Sequence, residues 1–185
     1  MSTDSKPSGT GPCESVKSVS SPVLPATRSC YVCGTANPLG LQIGFRIVGQ
    51  AAESRFSFRP EFSGFRDTVH GGVISTVLDE IMVWAIGIES GKFVYCAELT
   101  VRFLRPTPTK TPVIARGEVT ENKRNRLFVA RGELRNEAGD LLAEATGKYL
   151  PVPEAVTDAV LEDFQDGIPA FFQKVSTPKD VAAEG

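Results

Sequence analysis

Apolar positions in the middle of the chain recur at the spacing of a buried helix. Between residues 71 and 88, large apolar side chains stand three and four positions apart, which places them on one helix face. These positions are Ile74, Val77, Leu78, Ile81, Ala85 and Ile88. The pattern predicts one long helix in the body of the protein.

Segments on both sides of this helix are typical of β-strands. Before it, residues 41–48 and 51–58 alternate in part around Gly49-Gln50, which predicts a hairpin. After it, β-rich runs cover residues 93–104, 113–121, 127–136 and 141–150. One long helix with five or six antiparallel strands is an α+β arrangement, in which the sheet can wrap around the helix.

The two ends of the chain differ from this body. Residues 1–29 are rich in Ser, Thr, Gly and Pro, so we expect a disordered leader. Residues 30–152 form the expected domain. Residues 153–185 are expected to form a short helix, with Val156, Val160 and Phe164 on one face, and a frayed tail.

Composition narrows the possible partners and compartments. The 185 residues suit one domain, and a net charge of -2 gives no general attraction for nucleic acid. Asp79, Glu80 and Arg105 interrupt the apolar stretches before a membrane-spanning length of about 20 residues, so no membrane partner is expected. The four cysteines follow no disulfide framework and no signal peptide precedes them, which favours a cytoplasmic protein.

Asp79 lies on the second face of the predicted helix. Its neighbours there are Ser75, Met82, Val83 and Ile86, so this face is also largely apolar. A carboxylate in apolar surroundings can be a functional group with altered basicity. It can equally be a structural acid that is paired with backbone or arginine, and the helix pattern leaves both interpretations open.

The sequence His70-Gly71-Gly72 stands where the helix begins. Free backbone N–H groups and the positive end of the helix dipole point outward there, and glycine permits a close approach. A carbonyl held at Gly71 or Gly72 would be polarised, while Asp79 activates water or attacks the carbonyl carbon. The alternative is that the glycines serve tight packing or a turn; the combined pattern favours the oxyanion site.

Several motifs resemble those of the PaaI-like hotdog thioesterases over roughly residues 30–151. The motifs are His70-Gly71-Gly72 with Asp79 nine positions after the histidine, Cys30-Tyr31-Val32-Cys33-Gly34 with Asn37-Pro38-Leu39-Gly40-Leu41, Leu78-Asp79-Glu80, and Val101-Arg102-Phe103-Leu104-Arg105-Pro106. The resemblance implies a hotdog fold, and a homodimer or homotetramer with active sites between subunits. It also implies the oxyanion role for Gly71 and Gly72, Asp79 as base or nucleophile, and His70 as a positioning or assisting group. Many members carry asparagine six positions before the histidine, where this chain has Gly64.

The activity implied by this resemblance is hydrolysis of an acyl-CoA to acid and thiol, without a cofactor. Arg124 and Arg126 could contact the CoA phosphates, although a basic hairpin tip can also simply be solvated. Met82 and Phe65 are candidate substrate-binding residues. The alternatives are a non-catalytic module that binds an acyl thioester and, less favoured because His70 is the only histidine, a hydratase or dehydratase.

The Cys30-x-x-Cys33 pair invites a metal or redox interpretation. The only histidine has another role, and a closed zinc site would need Cys13 or Cys96 as well. A redox pair would follow a strand and open a helix, which this pattern does not predict. We therefore expect a structural loop and no metal. No Gly-x-Ser-x-Gly elbow or phosphate-binding loop occurs in the sequence.

Overall fold

A computed structural model describes residues 22–164 and residue 167. The elements, in chain order, are β1 (Arg46–Val48), β2 (Ala51–Ser57), a 3-10 turn (Pro60–Phe62), β3 (Ser63–Phe65), β4 (Thr68–Val69), α1 (Gly71–Ser90), β5 (Val94–Phe103), β6 (Pro112–Asn122), β7 (Phe128–Asn136), β8 (Leu141–Pro151) and α2 (Glu154–Glu162). The predicted long helix and the strands that follow it are confirmed to within two residues at each end.

Six strands form one antiparallel sheet in the order β1-β2-β6-β7-β8-β5, and β3 pairs with β4 separately. Helix α1 contacts β2, β5, β6, β7 and β8, so the sheet wraps around it. This is the hotdog arrangement, and the α+β prediction is confirmed. Strand β5 lies at one edge of the sheet, where its outer side has no strand partner among the described residues.

The first hairpin forms around Gly49. Its φ of 65° lies in the left-handed region, which glycine adopts without the strain that a side chain would cause. Its first strand begins at Arg46 and not at position 41. The reason is that the preceding residues bond to the cysteine loop instead: the Leu41 N–H donates to the Tyr31 carbonyl and the Ile43 N–H to the Val32 carbonyl. This alternation of buried side chains therefore reflects packing of an extended segment outside the sheet.

Helix α1 is buried on most of its surface because apolar side chains cover two faces. The fully or nearly fully buried residues are Ile74, Val77, Leu78, Ile81, Met82, Trp84, Ala85, Ile86 and Gly87. By length and composition alone this helix could cross a membrane, but half of its most apolar window is buried within the protein, as expected of a core helix. The sheet approaches it closely at Gly117, where a Cβ would lie 2.5 Å from the Ile81 carbonyl oxygen.

Part of the expected leader belongs to the folded body. Leu24 is buried and its N–H donates to the Phe45 carbonyl, and Val23 bridges to Arg46. The Ser29 hydroxyl donates to Asp163 at 2.7 Å, just after α2. Residues 22–29 thus pack on the domain through apolar burial and chain-to-chain hydrogen bonds. The remainder of the expected leader, residues 1–21, and the tail at 165–166 and 168–185 lie outside the described residues.

Candidate active site

The site begins at the N-terminal end of α1, where His70 caps the helix. Its Nδ1 accepts a hydrogen bond of 2.9 Å from the Gly72 N–H. Because one ring nitrogen of neutral imidazole accepts and the other donates, this contact leaves the proton on Nε2, and the ring is exposed. The Gly72 N–H is therefore engaged within the protein.

The Gly71 N–H is the remaining donor of the predicted oxyanion site. It has no acceptor among the described residues, as is usual for the first N–H of a helix. A Cβ at this position would lie 3.2 Å from the Phe103 ring, so the aromatic edge packs directly against the backbone. Because glycine has no side chain, the Gly71 N–H stays accessible through the narrow space beside this ring.

A cleft of about 510 Å³ opens beside this donor. His70, Gly71 and Phe65 line it together with Phe103 from β5, and Phe65 is 83% exposed. Gly64 also lines the cleft and packs against His70. A Cβ at this position would lie 3.1 Å from the histidine ring. The structure thus brings His70, Gly71 and Phe65 together, and it places Gly64 in the same cleft without a side chain.

Asp79 lies two turns further along α1, partly buried against the sheet. The Tyr149 hydroxyl donates to Asp79 Oδ1 at 2.8 Å. Tyr149 is fully buried on β8 and its register partner on β5 is Cys96. A side chain at Gly147 would overlap the Tyr149 ring, so glycine at this position allows the ring to lie flat along its own strand towards the helix.

The pKa values of two neighbouring side chains, Tyr149 and Cys96, reflect the surroundings of Asp79. Burial, followed by the Asp79 charge and its hydrogen bond, raises the pKa of Tyr149 far above its usual value of 10. Burial, followed by the hydrogen bond with Asp79, raises the pKa of the Cys96 thiol to about 11. Both groups therefore remain protonated beside the carboxylate at neutral pH and can donate to it.

The two halves of the predicted site are separated within one chain. Asp79 is eight positions after Gly71 in α1, which is about 12 Å along the axis at 1.5 Å per residue. A carbonyl bound at the Gly71 N–H is therefore out of reach of the Asp79 carboxylate of the same protomer. That both parts act on one substrate stays a prediction, and helical rise argues that they come from different protomers.

The other candidate binding residues lie elsewhere. Met82 is fully buried and does not line the cleft. Arg124 and Arg126 are in the exposed tip between β6 and β7, where the Asn122 side chain donates to Glu89 near the C-terminal end of α1. They are thus at the opposite end of the helix from the His70 cleft of their own protomer.

Two residues of the Asp79 environment escaped sequence reasoning. Tyr149 belongs to β8, in which buried and exposed residues alternate. This alternation indicates that the Tyr149 side chain points into the core, but it does not indicate which atom the hydroxyl contacts. Cys96 sits on β5, 17 positions from Asp79 in sequence, and only the pairing of β5 with β8 brings it there. The one available signal was a large polar aromatic at an inward position, since a buried hydroxyl requires a partner.

Comparison with known proteins supports a thioester hydrolase, the class of protein that the fold and the site indicate. Residues 67–143 match the family model described as the thioesterase superfamily. Acyl-coenzyme A thioesterase THEM4 of Bos taurus is 27% identical over 95 residues, which are 51% of this chain and 38% of the bovine protein. This chain thus matches 38% of the length of that curated relative.

Solved structures share the fold. A crystal structure described as a thioesterase superfamily protein aligns with a TM-score of 0.64 and 25% identity, over 68% of this chain and 64% of that chain. The E. coli PaaI protein from the phenylacetic acid degradation operon aligns with a TM-score of 0.55 and 18% identity, over 60% and 80% of the respective chains. The resemblance to PaaI-like hotdog thioesterases is confirmed by the shared fold and by the thioesterase-superfamily match over residues 67–143.

Proposed function

We propose that this protein hydrolyses an acyl-CoA thioester, with the oxyanion donor and the carboxylate of each active site supplied by different copies of the chain. One observation carries the proposal: α1 presents an unpaired Gly71 N–H in an open cleft and, on the same helix, a carboxylate that a buried tyrosine holds in place. The thioesterase-superfamily match covers both residues.

The need for a second copy follows from the separation of these groups. Strand β5 runs along the sheet edge beside both of them, with Cys96 next to Asp79 and Phe103 next to Gly71. Its exposed side chains include Tyr95 and Phe103, each more than half exposed. A long edge strand with exposed aromatic residues suits pairing with the same strand of a second copy. In that arrangement the helices of the two copies run in opposite directions across a two-fold axis.

The chemistry that we assign to the site is acyl transfer to water. The Gly71 N–H donates to the thioester carbonyl oxygen and stabilises the negative charge that develops there. Asp79 of the other copy removes a proton from the attacking water, or attacks the carbonyl carbon itself and forms an anhydride that water then opens. In both routes the C–S bond breaks, the thiolate leaves and takes up a proton, and the products are a carboxylic acid and a thiol.

Tyr149 acts in this scheme through Asp79. Its hydroxyl bonds Oδ1 and thereby fixes the carboxylate plane, leaving Oδ2 for the reaction. Position 64 supplies no side chain to hold a water molecule. His70 Nε2, exposed at the cleft, is the neighbouring group with a proton to donate to the substrate.

Arg124 and Arg126 can serve the same site only from the other copy. In an antiparallel pair of α1 helices, the C-terminal end of one helix approaches the N-terminal end of the other. This places the basic β6–β7 tip towards the partner's cleft, and guanidinium groups pair well with phosphate oxygens. We therefore keep both arginines as candidate contacts of the CoA phosphates.

The test is thiol release from short, medium, long and aromatic acyl-CoAs by the parent protein and by Asp79→Asn. Asp158→Asn, the same change at an exposed residue of α2, is the matched control. We expect turnover by the parent and the control and loss of turnover in Asp79→Asn, with its folding unchanged. An inert parent that still binds acyl-CoA would replace this proposal with a non-catalytic acyl-thioester-binding module.

A further inference from the structure

A second cluster of reactive side chains includes the residue that follows Asp79 in α1. Cys30, Cys33 and Glu80 each offer one potential ligand atom, and these atoms lie within 4.8 Å of one another. The two cysteines come from the loop before the sheet and Glu80 from α1, so the cluster joins segments 50 positions apart. No ion pair among the described residues includes Glu80.

The backbone around Cys30 is arranged to stabilise a thiolate. The N–H groups of Val32 and Cys33 donate to Cys30 Sγ at 3.2 and 3.4 Å, and the Gly34 N–H closes the turn on the Cys30 carbonyl at 3.0 Å. A side chain at Gly34 would overlap that carbonyl oxygen, so the turn requires glycine.

Glu80 contributes a carboxylate that is poorly solvated. Its side chain is only partly exposed to solvent. Its Oε1 lies 3.5 Å from Cys30 Sγ and accepts a hydrogen bond from the Trp84 indole N–H at 3.1 Å. Two thiol sulfurs and a half-buried carboxylate thus lie close together, and their negative forms would repel one another unless a cation lies between them.

We propose that Cys30, Cys33 and Glu80 bind one Zn²⁺ ion. In a tetrahedral site, bond lengths of about 2.3 Å to sulfur and 2.0 Å to oxygen separate the two ligand atoms by about 3.5 Å. The Cys30 Sγ to Glu80 Oε1 distance is also 3.5 Å. Thiolate ligands favour Zn²⁺ over the oxygen-seeking Mg²⁺ and Ca²⁺, and the Trp84 N–H supports the ligating carboxylate from outside.

The fourth coordination position opens to a cavity. Cys30 and Glu80 line a cavity of about 240 Å³, whose other walls include Trp84 and Lys92. Water or a small anionic ligand can complete the coordination from there. The ion would tie the cysteine loop to α1 at the residue after Asp79, so its first effect is on the stability of the fold.

The experiment measures metal binding by the full-length, reduced protein. After chelation and removal of metal, Zn²⁺ is added in competition with a chromophoric chelator, and Co²⁺ serves as the spectroscopic probe. We expect one equivalent of Zn²⁺ per chain, a rise in melting temperature, and a thiolate-to-Co²⁺ charge-transfer band. These measurements on the unmodified chain require no variant to fold.

Variants then assign the ligands. Cys30→Ser and Cys33→Ser should lose the charge-transfer band or weaken it strongly, and Glu80→Gln should reduce Zn²⁺ affinity by at least tenfold while keeping the thiolate band. Cys96→Ser, which removes the described thiol outside the cluster, should keep binding unchanged. Absence of stoichiometric Zn²⁺ binding by the reduced parent overturns the proposal. So does the formation of a Cys30–Cys33 disulfide in air, if reducing that disulfide does not restore metal binding.

Discussion

The Tyr149 hydroxyl donates a 2.8 Å hydrogen bond to the Oδ1 atom of Asp79 across 70 positions of sequence. It is a contact between β8 and α1, made under a sheet that leaves no part of Tyr149 exposed. Asp79 is therefore not a free carboxylate, and it forms no ion pair with an arginine of residues 22–164. One of its oxygens is fixed by the Tyr149 hydroxyl.

Tyr149→Phe should reduce kcat more than it raises KM. The substitution keeps the ring and removes only the hydroxyl, so Asp79 loses the donor that orients it. A hydrogen bond to a charged group contributes about 1.5–3 kcal/mol, which corresponds to a fall in kcat of about 10- to 100-fold. Steady-state kinetics on the best acyl-CoA measures this split. An unchanged kcat would mean that the hydroxyl does not position the catalytic carboxylate.

The same tyrosine should make stability depend on pH in alkaline solution. Its pKa is raised in the folded state, so the folded protein keeps a proton that the unfolded chain loses above pH 10. Stability is fully present below that pH and falls as the pH rises, by about 1.4 kcal/mol at pH 11. Cys96, whose pKa is also raised, lowers the stability of both proteins in this range, so urea unfolding should show a larger loss in the parent than in Tyr149→Phe, and the two stability curves converge. Parallel curves would contradict a protonated, buried Tyr149.

Two inactive variants should restore activity when their subunits are mixed. Asp79→Asn removes the carboxylate, and Gly71→Val places a branched side chain against Phe103 beside the oxyanion donor. In a mixed dimer one site receives both intact groups and the other receives neither. Random exchange of subunits then gives about one quarter of the parent activity.

The mixing experiment requires a measurement of the assemblies themselves. Native mass spectrometry of differently tagged subunits should find homodimers of each variant and the mixed species. If mixed dimers form and the mixture stays inactive, the carboxylate and the donor belong to the same protomer's site, and the composite arrangement fails.

Gly117→Ala should destabilise the fold by about 1–3 kcal/mol, because its Cβ would be forced against the helix backbone. The nearest atom is the Ile81 carbonyl oxygen, at 2.5 Å, and neither backbone segment can turn away as a side chain can. Gly44→Ala is the matched control, since nothing lies within 4 Å of a Cβ there. Urea unfolding should separate the two variants; equal stabilities would place the sheet further from α1.

The fold was predictable because its signals are local. The three- and four-residue spacing from Ile74 to Ile88 and the alternation in the later strands depend only on which side of an element faces apolar surroundings. The leader boundary was not predictable in this way. Leu24 and its neighbour Val23 are too short an apolar stretch to predict an element, and the hydrogen bond from the Leu24 N–H to the Phe45 carbonyl lies outside any local pattern.

The sequence by itself determined the helix, its capping His70-Gly71-Gly72 start and the position of Asp79 on a second apolar face. Only the tertiary structure decided what these groups contact. Strand pairing brings Tyr149 and Cys96 to Asp79, the cap takes the Gly72 N–H, and packing of the cysteine loop on α1 brings Cys30 and Cys33 to Glu80. The physical reason is that periodicity fixes the direction of a side chain, whereas the partner that it meets depends on pairing and packing between segments far apart in the chain.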